Sequence, residues 1–217
     1  YGSEFSIGVK ATFPYSLVNN KDYTIPGGLS AAETSAAIAD KYKWLEYYKL
    51  SAKGKWYTAF TDKLVLMTNA EMGYLGFYND AVGLSPFERY FVGGDGIAVF
   101  QLDGREVIGL RGYENNRLSP LEGGSIYNKF QLELRYSITD APSASIYTLG
   151  FLEAGNSYDN FDTFNPFELK RSAGVGVRIF MPAFGLLGID FAHGFDPLPG
   201  FTEKSGWQTH FIIGRQF

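Results

Sequence analysis

Apolar and polar residues alternate with a period of two along much of this chain, the signature of strands with two unlike faces. The clearest segment is 125–138. Ile126, Phe130, Leu132, Leu134, Tyr136 and Ile138 share one parity, and Lys129, Gln131, Glu133 and Arg135 the other. Near the N-terminus Phe5, Ile7, Val9, Ala11 and Phe13 alternate with Ser6, Gly8, Lys10 and Thr12. Tyr48, Leu50, Ala52, Trp56 and Phe60 alternate with Lys49, Ser51, Lys53 and Lys55. At the C-terminus Trp207, Phe211, Ile213 and Phe217 oppose Gln208, His210, Gly214 and Gln216. Weaker strands fit residues 66–77, 146–155, 172–181 and 186–193. The total is about eight strands of roughly 8 to 14 residues, close to the 9–11 of a strand tilted across a bilayer. The Ala-rich stretch 30–40 predicts a short helix inside a loop.

The connections sort by length. Residues 14–43, 78–124 and 156–171 are long and 194–206 is medium, whereas 61–63, 139–145 and 182–185 are short. Long and short connections on alternate ends are the habit of outer-membrane barrels, with long extracellular loops and short periplasmic turns. A soluble β-sandwich, the alternative class, has no reason to sort its loops this way. Segment 78–124, about 47 residues without clear strand periodicity, is of a length that is uncommon and usually functional. It has to hang outside or fold into a lumen wider than eight strands enclose. The pattern therefore predicts an all-β, antiparallel transmembrane β-barrel that is larger than the roughly eight strands seen here.

Composition agrees and excludes other classes. Phe 19, Tyr 15 and Gly 26 are high together, and aromatics reach 17%, as barrels with aromatic girdles require. The longest nearly apolar run, 179–189, is interrupted by Pro182 and is too short for a spanning helix. A net charge of −4 argues against a nucleic-acid partner, which needs a basic stripe. There is no Cys, which removes disulfides and thiolate metal sites. With only two His, no metal and no cofactor is expected. His193 has Asp190 and Asp196 nearby, but there is no Gly-x-Ser-x-Gly elbow, so no enzyme activity is expected. Lys49, Lys53 and Lys55 form a stripe on the polar face, read as a solvated wall or as the lining of an anion-selective pore. Gly174 and Gly176, at one parity, leave room for an inserted loop or for barrel curvature.

Inside segment 78–124 stand RYFVGG (89–94) and LRGY (110–113), separated by the 16 residues 95–110. Downstream follow strands carrying QLELRYS, FLEAG, SAGVGVRIFMP and GLLGIDFAHGFD, and a last strand ending in an aromatic. This order resembles the BamA-type outer-membrane assembly factors, whose superfamily includes TamA and the two-partner secretion transporters. The resemblance covers residues 85–217 well, and 1–84 only as strand pattern. It implies that these strands form the C-terminal half of a sixteen-stranded barrel, with periplasmic POTRA domains and eight further strands that these 217 residues do not hold.

The resemblance also implies roles. Arg111, in a loop that folds inward, pairs with wall carboxylates, here Glu133 and Glu153. Gly112 lets the backbone approach the wall, and Tyr113 packs on it. Parity places Glu133 on the polar face. For Glu153 it brings Tyr147, Leu149 and Phe151 inward as well. The final strand, with Phe211, Ile213, Gly214 and Phe217, carries an assembly signal and forms the lateral seam, with Gly214 where pairing weakens. The expected function is folding and insertion of β-barrel proteins into the outer membrane of a Gram-negative cell. Its partners would be nascent outer-membrane proteins, the lipid bilayer, and accessory lipoproteins bound through the periplasmic part. The alternative is a passive or two-partner-secretion-type pore.

Overall fold

The computed structural model describes residues 2–19, 22–97, 104–141, 143–182 and 184–214. Eight long strands form one antiparallel sheet: β1 (Gly2–Ala11), β2 (Tyr48–Ala59), β3 (Leu64–Gly76), β6 (Ile126–Ala141), β7 (Ala144–Tyr158), β8 (Lys170–Met181), β9 (Gly185–Pro197) and β10 (Lys204–Gly214). They pair in the order β1-β2-β3-β6-β7-β8-β9-β10, so each strand lies beside its neighbours in the chain. The sheet is open, with β1 and β10 at its edges. Two short strands inside the long loop, β4 (Tyr90–Val92) and β5 (Glu106–Ile108), pair in parallel. At three residues each they are too short to show alternation, which is why the periodicity missed them.

The faces follow the parity. On β6 Phe130, Leu132, Leu134, Tyr136 and Ile138 are exposed on the outside, while Glu133 is buried on the inside. On β10 Trp207, Phe211 and Ile213 are exposed and His210 is buried; Gln216 and Phe217 lie outside the described residues. One register slip would reverse every one of these positions. At the start of β6 the alternation of exposure stops: Ile126, Tyr127 and Asn128 are all buried, although Ile126 shares the parity of the exposed row. Here both faces are covered: the Tyr90 ring lies 4.7 Å from that of Tyr127 on one side, and Asn128 Nδ2 donates to the Pro166 carbonyl in the β7–β8 loop.

Two helices lie in the β1–β2 connection, α1 (Tyr15–Val18) and α2 (Ala31–Lys41). The Ser30 side chain accepts from the Glu33 amide, and the Glu33 carboxylate accepts from that of Ser30, a reciprocal cap that starts α2 within one residue of the sequence prediction.

The main apolar cluster is built by the long loop against the wall. Tyr90, Val92, Ile108, Leu110, Tyr113 and Leu118 from the loop pack with Tyr47, Leu75 and Tyr127. The loop thus folds back over the inner face as a plug with its own core. That explains how the described part of so long a connection is held with so little regular structure.

Candidate functional site

At the centre of the inner face, the Arg111 side chain is 6% exposed and is met by three carboxylates. Nη2 donates to Glu133 Oε2 at 3.0 Å, Nε and Nη2 donate to Glu153 Oε1 at 3.0 and 2.7 Å, and Nη1 donates to Asp190 Oδ2 at 2.9 Å. The Arg111 amide adds a bond to Glu153 Oε2 at 2.8 Å. A guanidinium suits this task because its rigid fork of donors can serve several carboxylates at once. The flat face of the group lies 3.4 Å from the Phe151 ring centroid, a cation–π contact. The apolar residues that share Glu153's parity therefore do turn inward. Leu149 and Phe151 are buried there, and Phe151 forms the floor beneath the arginine.

Other cations balance the acids. Arg178 makes two bonds to Asp190, 2.6 and 2.7 Å long. Arg135 Nε donates to Glu133 Oε1 at 2.7 Å. Glu153 is served besides Arg111 by Lys129 at 3.8 Å, so it depends most on the loop arginine. Buried charges are tolerable when paired and hydrogen-bonded in this way.

Gly112 follows with φ +88°, and a Cβ there would meet Ser172 Cβ at 2.8 Å and the Gly194 nitrogen at 3.0 Å. Only glycine allows both the left-handed backbone and the close approach. The wall answers with small residues. A side chain at Gly176 would strike the Asp190 carboxylate, one at Gly174 would strike Phe151, and one at Gly194 would strike the Gly112 carbonyl. The glycines of β8 and β9 thus make a shelf on which the charge cluster and the loop rest. Tyr113, fully buried, donates its hydroxyl to the Arg171 carbonyl at 2.6 Å.

The loop has a second attachment at its base. Lys49, buried on the inner face of β2, donates to the Glu88 carbonyl at 3.0 Å and pairs with Glu106 at 2.9 Å. Its ammonium lies 4.3 Å from the Tyr90 ring centroid. Lys53 instead pairs with Glu71 of the neighbouring strand, and Lys55 with Glu4. The lysine stripe is thus divided between the loop and the wall.

The structure brings Arg111, Gly112, Tyr113, Glu133 and Glu153 together. Sequence reasoning missed Asp190, Arg178 and His210 as members. Asp190 had a usable signal, since it is an acidic residue at inward parity in the middle of a largely apolar strand. Its proximity in sequence to His193 misleads: Asp190 faces inward, whereas the His193 ring points outward, 5.2 Å from the rings of both Phe195 and Trp207. Phe211, Ile213 and Gly214 lie together on β10, away from the arginine. Gly214 is still in register with Leu186 of β9. Phe217 lies outside the described residues.

A family profile described as the Omp85 superfamily domain matches residues 5–217. No curated protein matches the chain. Among solved structures the chain is similar to BamA from Haemophilus ducreyi lacking POTRA domains 1-3, with a TM-score of 0.56 and 18% identity. The match covers 75% of this chain and 34% of that one, so this chain spans about a third of that structure. At that identity the likeness concerns the fold, that of the C-terminal portion of a BamA-like barrel. With a profile match over nearly its whole length and strands to fit, the chain belongs to the Omp85 superfamily of outer-membrane β-barrel proteins.

Proposed function

We propose that this protein folds and inserts other β-barrel proteins into the outer membrane, with β10 as one side of a labile lateral seam. In this reading residues 78–124 are an extracellular loop locked into the lumen by Arg111. No bond is made or broken and no nucleotide is used. A substrate's terminal strand adds by edge pairing at the seam. Nascent barrel proteins and the bilayer are its partners, and accessory lipoproteins join through POTRA domains elsewhere in the protein.

The observation that carries the reading is the plug. The loop packs an apolar core and a buried charge cluster against the inner wall. A conducting or secretion pore needs a clear lumen, whereas an assembly factor works with the lumen filled and acts at its wall. The outward apolar row Trp207, Phe211 and Ile213 on β10 supports a strand that meets lipid on one face and a partner strand on its edge.

Cysteines introduced into β10 and its seam partner in the intact protein test this directly, because the chain has no cysteine of its own. Closing the disulfide is expected to block assembly of new outer-membrane proteins while this protein stays folded. Normal assembly with the seam locked would overturn the mechanism. High single-channel conductance of the unmodified protein would favour the pore instead.

A further inference from the structure

Among the described residues β10 pairs along one edge, with β9. Its inner face adds a further hold. Of its inward side chains, Gln208 turns back to the Ser205 carbonyl of its own strand. His210, 5% exposed, reaches the loop, and its Nε2 accepts the Gly112 N–H at 2.8 Å. That requires a neutral ring with its proton on Nδ1. Gly112 is buried, with no room for a side chain between it and Ser172, Gly194 and the backbone of His193, and a buried donor left without a partner is costly. Two consecutive loop residues therefore bind four strands: Arg111 holds β6, β7 and β9 through Glu133, Glu153 and Asp190, and Gly112 holds β10 through His210.

We propose that His210 is the positioning residue through which the docked loop holds the final strand. When Arg111 is seated, the Gly112 amide donates to the His210 imidazole, so docking favours the β10 placement that puts the ring beneath it. When the arginine leaves, that bond goes too, and β10 loses its hold on the loop while keeping its strand ladder with β9. The coupling is reciprocal: displacing β10 weakens the seat of the loop by the same factor. Its functional meaning, a plug that sets how freely the seam strand moves, rests on the reading of β10 as the seam.

Hydrogen exchange in the intact protein, in lipid discs, tests the coupling without reference to assembly. Peptides covering 110–114 and 206–214 are followed in wild type, Arg111→Lys, His210→Phe, the double variant and His210→Gln. Phe keeps an aromatic ring but accepts nothing; Gln restores an acceptor. Arg111→Lys and His210→Phe are each expected to speed exchange in β10, roughly tenfold for the loss of one hydrogen bond. The double variant is expected to add nothing to the larger single effect, and His210→Gln to stay near wild type. Heat-modifiable gel migration reports that each variant is folded, and His210→Ala takes the place of Phe if Phe prevents folding. Additive effects in the double variant, an unchanged β10 in Arg111→Lys, or no rescue by Gln would each overturn the proposal. If a locked seam left assembly intact, the proposed function would fall while this coupling stood on its own result.

Discussion

The long loop is fastened to the wall at two places, and the two differ in kind. At Arg111 one guanidinium meets three carboxylates, each less than 5% exposed, in the middle of the inner face. At Lys49 the cation is buried, but its partner Glu106 is half-exposed, and Lys10, which also reaches Glu88, is largely in the open. Both attachments use opposite charges. What separates them is how much water returns when one partner is removed. In the buried cluster the stranded carboxylates stay dry and the loss is large. At the rim they rehydrate and the loss is small.

The largest effect is therefore expected from Arg111→Ala. It strands Glu153 with only Lys129 at 3.8 Å, at about 3–5 kcal/mol for a broken buried pair. Lys49→Ala should cost less. Lys53→Ala should cost least, about 0–1 kcal/mol, because Lys53 is substantially exposed beside Glu71. Heat-modifiable gel migration of the intact variants ranks them by transition temperature. Equal temperatures for the Arg111 and Lys53 variants would erase the distinction between the two attachments.

Gly112→Ala sharpens the comparison by leaving every charge in place. The new methyl meets Ser172 Cβ at 2.8 Å on a backbone with φ +88°, and about 1–3 kcal/mol is expected from strain of this kind. Adding Ser172→Gly removes one clash but not the backbone strain, so partial recovery of the transition temperature is expected. Full recovery would mean that crowding alone selects glycine here.

The smallest effect is the pH dependence at the base of the loop. Burial pushes the Glu88 carboxyl up, but its hydrogen bond from Lys10 and the charge of Lys49 outweigh this, leaving it below its ordinary value. A carboxylate depressed in the folded state contributes stability above its unfolded pKa and loses it as pH falls through the folded one. The gap in transition temperature between wild type and Glu88→Gln is thus expected to be present at neutral pH and to close below about pH 4. A gap that persists in acid would assign Glu88 a role other than charge pairing.

The sequence by itself determined the strands and their faces. Alternation is a local property: each residue's side is set by its neighbour's, and a lipid-facing surface demands apolar residues at every second position. The eight long strands, the capped helix α2 and the inward direction of Glu133 were legible for that reason, and the loop motif pointed to Arg111 and Glu153. The burial of Ile126 was not legible, because it comes from distant segments that cover both faces of β6. Asp190 and Arg178 each sit in an ordinary alternating strand. Nothing near them in the chain says that they share a carboxylate–guanidinium pair next to a loop residue 79 positions from Asp190. The His210–Gly112 bond spans 98 positions and has no sequence signature. Which charges neutralise one another in the lumen, and which strand the loop holds, depends on where β7, β8, β9 and β10 lie in space. Only the tertiary structure decided that, because a buried ion pair is specified by distance and exclusion of water, and neither is written in the order of residues.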